Sequence, residues 1–156
     1  MSDRVPFRCA FKKNSLRGSA SMKAFIPLTG GCQCGAVRYE ITAPAEGLKT
    51  CHCGACQKQS GSAFGMSLAV APDTFRLLSG RLKAFDAIAD SGAVKTCSFC
   101  PACGVRIHHT GPGWMVGKAG TLDDTTDLEP SRHIWASRKQ TWFDLPADTV
   151  QLPEND

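Results

Sequence analysis

The stretch Cys100-Pro101-Ala102-Cys103-Gly104 carries most of the information about the fold. Two cysteines three positions apart can hold one metal ion, and zinc is the usual ion for thiolate ligands. Pro101 restricts one backbone dihedral of the turn, while Gly104 permits the positive φ with which the chain leaves the metal. Strand-like sequence leads into and out of this turn. The pattern therefore predicts a β-hairpin that is clipped by zinc.

Zinc prefers four ligands, so the pair Cys100 and Cys103 needs a second pair. The segment Cys32-Gln33-Cys34 is the natural partner, because glycines on both sides give its backbone the freedom to bring both thiols to one ion. The alternative is that both cysteines are core residues of a strand, where positions two apart share a face. Four thiolates around one ion would form a closed, structural site.

A third cluster, Cys51-His52-Cys53-Gly54-Ala55-Cys56, places three thiols close together. Three protein ligands leave one coordination position open, which is how catalytic zinc is usually held. His52 is one candidate for the fourth ligand, but both of its neighbours are ligands, so its side chain is expected to point away. Cys97 is another candidate. It either closes the second site, which would make that site structural, or is a buried free thiol.

Many short segments with frequent turns indicate a mainly β fold of antiparallel sheets. Strands are predicted over residues 37–41, 66–70, 75–78, 82–85, 95–99, 105–109, 114–119 and 133–136, with an extended stretch over 142–145. The segment 42–49 contains proline and glycine and is predicted to be a loop. The segment 55–59 is predicted to form about one helical turn, which ends before Gly61.

The formal net charge of +4 is concentrated at the N-terminus. Residues 1–25 hold six basic side chains against Asp3, a balance of +5, so the remainder carries −1. We therefore expect a basic tail over 1–25 and one zinc-binding domain over 26–156. The tail is a disordered segment, an organellar transit peptide, or an over-extended start with Met22 as the initiator. The near-neutral domain offers no basic surface for nucleic acid.

Cysteine usage and hydropathy indicate a cytoplasmic protein with reduced thiols. No apolar run approaches the roughly 20 residues that a membrane span needs, and no secretory apolar region is present. Cys32 and Cys34 are too close to pair comfortably as a disulfide. Cys9 lies in the tail and is expected to have no structural role. The cysteine spacings also differ from those of the usual ferredoxins.

No histidine has a carboxylate partner at a diagnostic spacing, so no catalytic dyad is predicted. His108, His109 and His133 are each expected to be hydrogen-bonded polar residues without a catalytic role. The acidic loop around Asp123, which extends to Asp127, is expected to be solvated surface.

The three clusters in this order resemble the glutathione-dependent formaldehyde-activating enzyme family, which also includes centromere protein V. The matching segments are Gly30–Gly35, Cys51–Cys56 and Phe99–Gly104, with further matches at 61–64, 120–124 and 133–135. The resemblance covers about residues 28–152, which is nearly everything except the tail.

The resemblance implies an antiparallel β fold of the Mss4-like type with two zinc ions per chain. It implies a structural zinc on Cys32, Cys34, Cys100 and Cys103, and a second, catalytic zinc on Cys51, Cys53 and Cys56. The implied reaction is addition of glutathione, as cosubstrate, to formaldehyde to give S-hydroxymethylglutathione. The reverse cleavage makes such an enzyme a carbon–sulfur lyase.

Three functions therefore compete. The first is a zinc-dependent lyase that acts on a small-molecule thiol and an aldehyde. The second is a non-catalytic, zinc-stabilised module that binds another protein, which a site closed by Cys97 or a large exposed apolar patch would favour. The third is a nucleic-acid or cytoskeletal binder, which the near-neutral domain does not favour.

Overall fold

The computed structural model describes residues 27–45, 47–89, 92–126 and 128–155. The predicted tail, which includes Cys9 and Met22, lies outside these ranges. Ile26, which is the first residue of the predicted domain, and Asp127 lie outside them as well. Within the described ranges, no helix has the length and apolar composition that a membrane crossing requires.

Short strands dominate the described chain, with one α-helix and three 3-10 turns. The strands are β1 Leu28–Gly31, β2 Arg38–Ile41, β3 Gly47–Cys51, β4 Gly65–Val70, β5 Phe75–Ser79, β6 Lys83–Ile88, β7 Val94–Phe99, β8 Arg106–Gly111, β9 Trp114–Lys118, β10 Arg132–Ile134 and β11 Val150–Gln151. The helix α1 spans Gly54–Ser60, and the 3-10 turns span Pro72–Thr74, Ala119–Thr121 and Ala136–Arg138.

Two sheets organise these strands. The smaller sheet has the order β1-β2-β5 and is antiparallel throughout. The larger sheet has the order β11-β10-β3-β4-β9-β8-β7-β6. Its neighbours are antiparallel except at β10, which runs parallel to both β3 and β11. The predicted mainly β fold of antiparallel sheets is confirmed, with these two parallel pairings as an addition.

Most predicted strands begin within one or two residues of an observed strand. β6 is longer than predicted and extends to Ile88. The loop predicted over 42–49 is wrong in its second half, because β3 begins at Gly47 and lies between β10 and β4. Leu48 and Thr50 are buried there and supply the packing that overrides the local turn signal. The segment predicted to be extended over 142–145 contains no strand. The predicted helical turn is confirmed as α1, which Gly61 ends in a left-handed conformation.

The main core lies between the two sheets. Tyr39 and Ile41 of β2 pack with Leu68 and Val70 of β4 in one buried cluster, which also includes two cysteines of the zinc-type turns. Leu68 is 1% exposed and lies near the centre of the larger sheet. The first cysteine of each turn, Cys32 and Cys100, is therefore part of the core, while the residues between the paired cysteines are exposed.

Asp123 fixes the segment after β9 against the smaller sheet. Its carboxylate accepts hydrogen bonds from Arg38 Nη1 at 2.8 Å and from Thr29 Oγ1 at 2.6 Å. Beside it, Tyr39 OH lies 2.7 Å from Thr121 Oγ1. The hydrogen bond from Arg38 lowers the pKa of Asp123. Asp123 is exposed, as expected for a solvated loop, and the register of β1 and β2 additionally brings two donors to its carboxylate.

Truncation of Leu68 tests how far the larger sheet depends on this core. We expect Leu68→Ala to lower the free energy of unfolding by about 2–5 kcal/mol, because it leaves a cavity in a fully packed region. Leu78→Ala removes the same atoms from a side chain that is 55% exposed, and its effect should stay within about 0.5 kcal/mol. Urea denaturation followed by circular dichroism measures both. Equal effects at the two positions would contradict the proposed location of the core.

Candidate metal centres

The first sulfur pair is held in a turn between β1 and β2. The Cys32 N–H donates to the Val37 carbonyl at 3.0 Å, and the Gly35 N–H donates to the Cys32 carbonyl at 3.0 Å. Gly35 has a φ of 76°, a conformation that favours glycine. The turn thereby leaves both thiols on one side of the backbone.

A second turn of nearly the same construction joins β7 to β8. The Cys100 N–H donates to the Val105 carbonyl at 3.0 Å, and the Gly104 N–H donates to the Cys100 carbonyl at 2.9 Å. Gly104 has a φ of 78°, as the Cys-Pro-Ala-Cys-Gly pattern predicts. In each turn, the first cysteine N–H donates to the carbonyl five residues later.

The two turns bring four thiols together. The Sγ atoms of Cys32, Cys34, Cys100 and Cys103 all lie within 4.8 Å of one another. Cys34 Sγ is 3.5 Å from Cys32 Sγ and 3.9 Å from Cys100 Sγ. The fold therefore places together the four cysteines that the sequence pairs, and the alternative of two unrelated core cysteines is wrong.

The ionisation of this cluster reflects its crowding. Burial raises the pKa of Cys32, but a hydrogen bond from the Val37 N–H and contacts with the other thiols outweigh burial and lower this pKa to about 6. In Cys34, the Ala36 N–H lowers the pKa, while the contacts with Cys32 and Cys103 outweigh it and raise the pKa to about 11. One thiolate is thus favoured at the expense of a neighbour. A soft dication that accepts several thiolates would remove this conflict.

The third cluster forms where β3 runs into α1. Cys51 ends β3, Cys53 precedes the helix as its N-cap, and Cys56 lies in the first turn. All three are buried, and their Sγ atoms lie within 4.8 Å of one another. The Cys56 N–H donates to Cys53 Sγ at 3.4 Å, so the start of the helix fixes the sulfur geometry.

These three thiols also share protons unequally. Hydrogen bonds from Cys51 and Cys56 lower the pKa of Cys53 to about 2, and the contact with Cys53 raises the pKa of Cys51. For Cys56, the contact with Cys51 lowers the pKa, but the contact with Cys53 and burial give a net rise. Three soft donors at this separation fit three corners of a zinc tetrahedron.

A cavity of about 130 Å³ opens beside this cluster. Lysine, histidine and tryptophan side chains share its wall with the three thiols. The lining residues include Lys49, Cys51, Cys53, Cys56, Ser67, Lys95, His109, Trp114, Val116, Ile134 and Trp135. The described lining contains no carboxylate side chain, so the cavity combines soft donors with positive charge.

Trp135 enters the cavity wall with a strained backbone. Its φ is 56°, the one positive φ among non-glycine residues of the described ranges. The Trp135 N–H donates to the Glu154 carbonyl at 2.9 Å, and the Arg138 guanidinium lies 4.5 Å from the centre of its ring. These contacts hold a large aromatic ring at the cavity at a conformational cost of about 1–3 kcal/mol.

Neither candidate for a fourth ligand joins the three thiols. His52 is fully buried, but its Nε2 lies 3.0 Å from His133 Nδ1, which confirms that the ring points away from the cluster. Cys97 is also fully buried and lies in β7 opposite His109, outside both sulfur groups. The hypothesis that Cys97 closes the second site is therefore wrong, and Cys97 is a buried free thiol.

The structure also corrects the expectation for the histidines. His133 is hydrogen-bonded as expected, but within the described chain His108 Nδ1 and His109 Nδ1 are buried without a partner. His109 lines the cavity, and burial followed by the charge of Lys118 lowers its pKa to about 2, so the ring is neutral. This placement could not be predicted from local sequence, because it depends on the register between β8 and β9.

This small β protein has one closed group of four thiols and one open group of three thiols beside a cavity. Such an arrangement is suited to bind two soft metal ions. A family model, glutathione-dependent formaldehyde-activating enzyme, matches residues 27–138. The chain belongs to this family. A crystal structure of a Rhodobacter sphaeroides protein is similar in fold, with 21% sequence identity and a TM-score of 0.53. The similarity covers 66% of this chain and 97% of that protein.

Metal analysis of cysteine variants tests the separation of the two clusters. We expect two zinc ions per chain in the unaltered protein, and loss of one zinc together with a large drop in Tm for Cys100→Ser, because that sulfur is buried in the main core. Cys97→Ser changes a buried thiol that is not in either group and should keep both ions. Inductively coupled plasma mass spectrometry measures the zinc, and a loss of zinc from Cys97→Ser would contradict the assignment.

Proposed function

We propose that this protein is a zinc-dependent carbon–sulfur lyase that adds glutathione, or a similar thiol, to formaldehyde or another small aldehyde, and cleaves the adduct. In this proposal, Cys32, Cys34, Cys100 and Cys103 hold a structural zinc, and Cys51, Cys53 and Cys56 hold a catalytic one. The observation that carries the proposal is the convergence of three buried thiols on a cavity, with no fourth cysteine or histidine in their group within the described chain.

The difference in donor number supports different roles for the two clusters. Four thiolates saturate a tetrahedral ion, whereas three leave a position for an exchangeable ligand. Zinc held by Cys51, Cys53 and Cys56 would lower the pKa of a thiol that occupies this position, so that the thiol would be a thiolate at neutral pH.

The cavity suits the remaining parts of the reaction. Its volume of about 130 Å³ admits a molecule as small as formaldehyde and the thiol end of a larger substrate, but not a whole tripeptide. The rest of glutathione would extend out of the cavity past Lys49 and Lys95, whose positive charge complements its carboxylates. Trp114 and Trp135 would exclude water from the reacting atoms.

The chemistry itself is a simple addition. The thiolate sulfur forms a bond to the carbonyl carbon, the π electrons of the carbonyl move to oxygen, and the oxygen takes a proton. Holding both reactants in one small cavity replaces a bimolecular encounter by an oriented one. Cleavage of the adduct follows the same path in reverse.

A second candidate is a module that binds another protein without catalysis. Phe85 and Ile88 of β6 are 48% and 75% exposed, and Val94 of β7 is 58% exposed. β6 is also an edge strand of the larger sheet, which leaves backbone groups available for pairing. This surface favours a protein partner, but it does not explain an open thiol cluster beside a cavity.

Cys53→Ser separates the lyase from the module. We expect it to reduce catalysed exchange between formaldehyde and S-hydroxymethylglutathione to the spontaneous rate, since one of three ligands is lost. Exchange-resolved NMR with 13C-labelled formaldehyde and glutathione measures this rate above the uncatalysed background.

The matched comparison is Cys100→Ser, which alters the closed cluster. Cys53→Ser should retain a cooperative thermal transition and near-normal circular dichroism, while Cys100→Ser should not. If Cys53→Ser unfolds as severely as Cys100→Ser, or if the unaltered protein does not exceed the spontaneous rate, the lyase proposal is wrong.

A further inference from the structure

Lys118 is a buried lysine that the proposed mechanism has not used. It ends β9 and is 7% exposed, and its Nζ has no hydrogen-bond partner within the described residues. A buried amine without a partner is costly, because it gives up its hydration and gains no replacement. A desolvated titratable group that lines a groove is a candidate functional residue.

The sheet register places Lys118 on the same face as the three-thiol cluster. Lys118 pairs with Ser67 across β9 and β4, and Cys51 pairs with Gly65 across β3 and β4. Cross-strand partners share a face, and positions two apart on one strand do so as well. Ser67 and Val116, which share this face with Lys118, both line the cavity of the thiols.

Lys118 lines a groove of about 500 Å³ that is distinct from the thiol cavity. Gln59 and Ser60 of the helix and Arg106 of β8 line the same groove. Lys118 thus shares a sheet face with the three-thiol cluster and contributes to the wall of this groove.

The charges around the amine favour an anion near it. The charges of Cys56 and Cys51 attract the ammonium, while Arg106 and Lys95 repel it. Burial is the largest influence and lowers the pKa of Lys118 to about 8, which leaves the amine mainly protonated at neutral pH. No described carboxylate forms an ion pair with it. The ammonium is thus a donor that lacks an acceptor.

Resting on the lyase function proposed above, we propose that Lys118 Nζ donates a hydrogen bond to the oxygen of the aldehyde as the thiolate adds to it. Negative charge moves from sulfur to oxygen when the sulfur–carbon bond forms, and a cation close to that oxygen stabilises the charge where it develops. The proton released by the incoming thiol finally resides on the oxygen, so the lysine ends the reaction unchanged. Lys118 would then be a catalytic residue.

A purely structural role makes a different prediction. If the ammonium only offsets the negative charge of the thiolate cluster, its removal should release zinc and destabilise the fold. If it serves the substrate, Lys118→Met removes an unpaired buried charge while preserving most of the side-chain volume. Zinc content should then stay constant, and the Tm should stay the same or rise.

Thiol binding gives a measurement that does not depend on turnover. Thioglycolate carries an anionic oxygen close to its sulfur, and 2-mercaptoethanol is its neutral counterpart. Calorimetric titration of the zinc-loaded protein with each thiol yields the ratio of their affinities. We expect Lys118→Met to weaken thioglycolate binding about tenfold or more, and 2-mercaptoethanol binding by less than about threefold. Lys118→Arg should retain part of the preference.

The control is Lys58→Met, which removes an exposed lysine of α1 and should alter neither affinity. Lys118→Gln is a second neutral variant in case Lys118→Met folds poorly. Equal weakening of both thiols, or loss of a zinc ion in both neutral variants, would overturn the role of Lys118 and leave the lyase proposal intact. Failure of the unaltered protein to bind either thiol would refute the lyase proposal, and this inference with it.

Kinetics supply the second readout. For exchange of formaldehyde with glutathione, we expect Lys118→Met to lower kcat about 100-fold while KM for glutathione changes by less than about threefold, since the donor acts in the transition state. A change confined to KM would contradict a contact with the reacting oxygen.

Discussion

The structure depends on the convergence of four thiols from two turns that are far apart in sequence. Cys34 and Cys100 are 66 positions apart, yet their sulfurs lie 3.9 Å from each other. One turn belongs to the smaller sheet and the other to the larger sheet, so an ion at this point would join the two. Closing so long a loop removes much entropy from the unfolded chain, and the free energy of metal binding becomes free energy of folding.

This arrangement explains how a chain with short strands can hold a strained site. Main-core residues such as Tyr39 and Leu68 lie against one face of the larger sheet, together with Cys32 and Cys100. The register places Cys51 and Lys118 on the opposite face. The face that carries the open cluster is therefore free to include features that cost stability, because the closed cluster and the core stabilise the other face.

The cysteine groups could be predicted from the sequence because short-range spacing fixes which thiols can meet. The two zinc-type turns follow from cysteine spacing and flanking glycines, and the alternating strands follow from hydrophobic periodicity. β3 was missed because its burial comes from strands that are distant in sequence, and the hydrogen bonds of Asp123 depend on the register of β1 and β2. The places of His109 and Lys118 likewise required the pairing of β8, β9 and β4, which periodicity does not reveal.

The anomalies of the molecule occur together, and this is informative about function. Trp135 has a left-handed backbone, and His109 Nδ1 and Lys118 Nζ are buried without hydrogen-bond partners within the described residues. Trp135 and His109 line the cavity beside the Cys51, Cys53 and Cys56 cluster, and Lys118 lies on the same face of the larger sheet as Cys51. Sequences tend to violate local rules at functional sites and to satisfy them elsewhere. A purely structural second zinc site would give no reason for these costs to accumulate beside it, whereas a cavity that binds a thiol and polarises an aldehyde would use each of these groups.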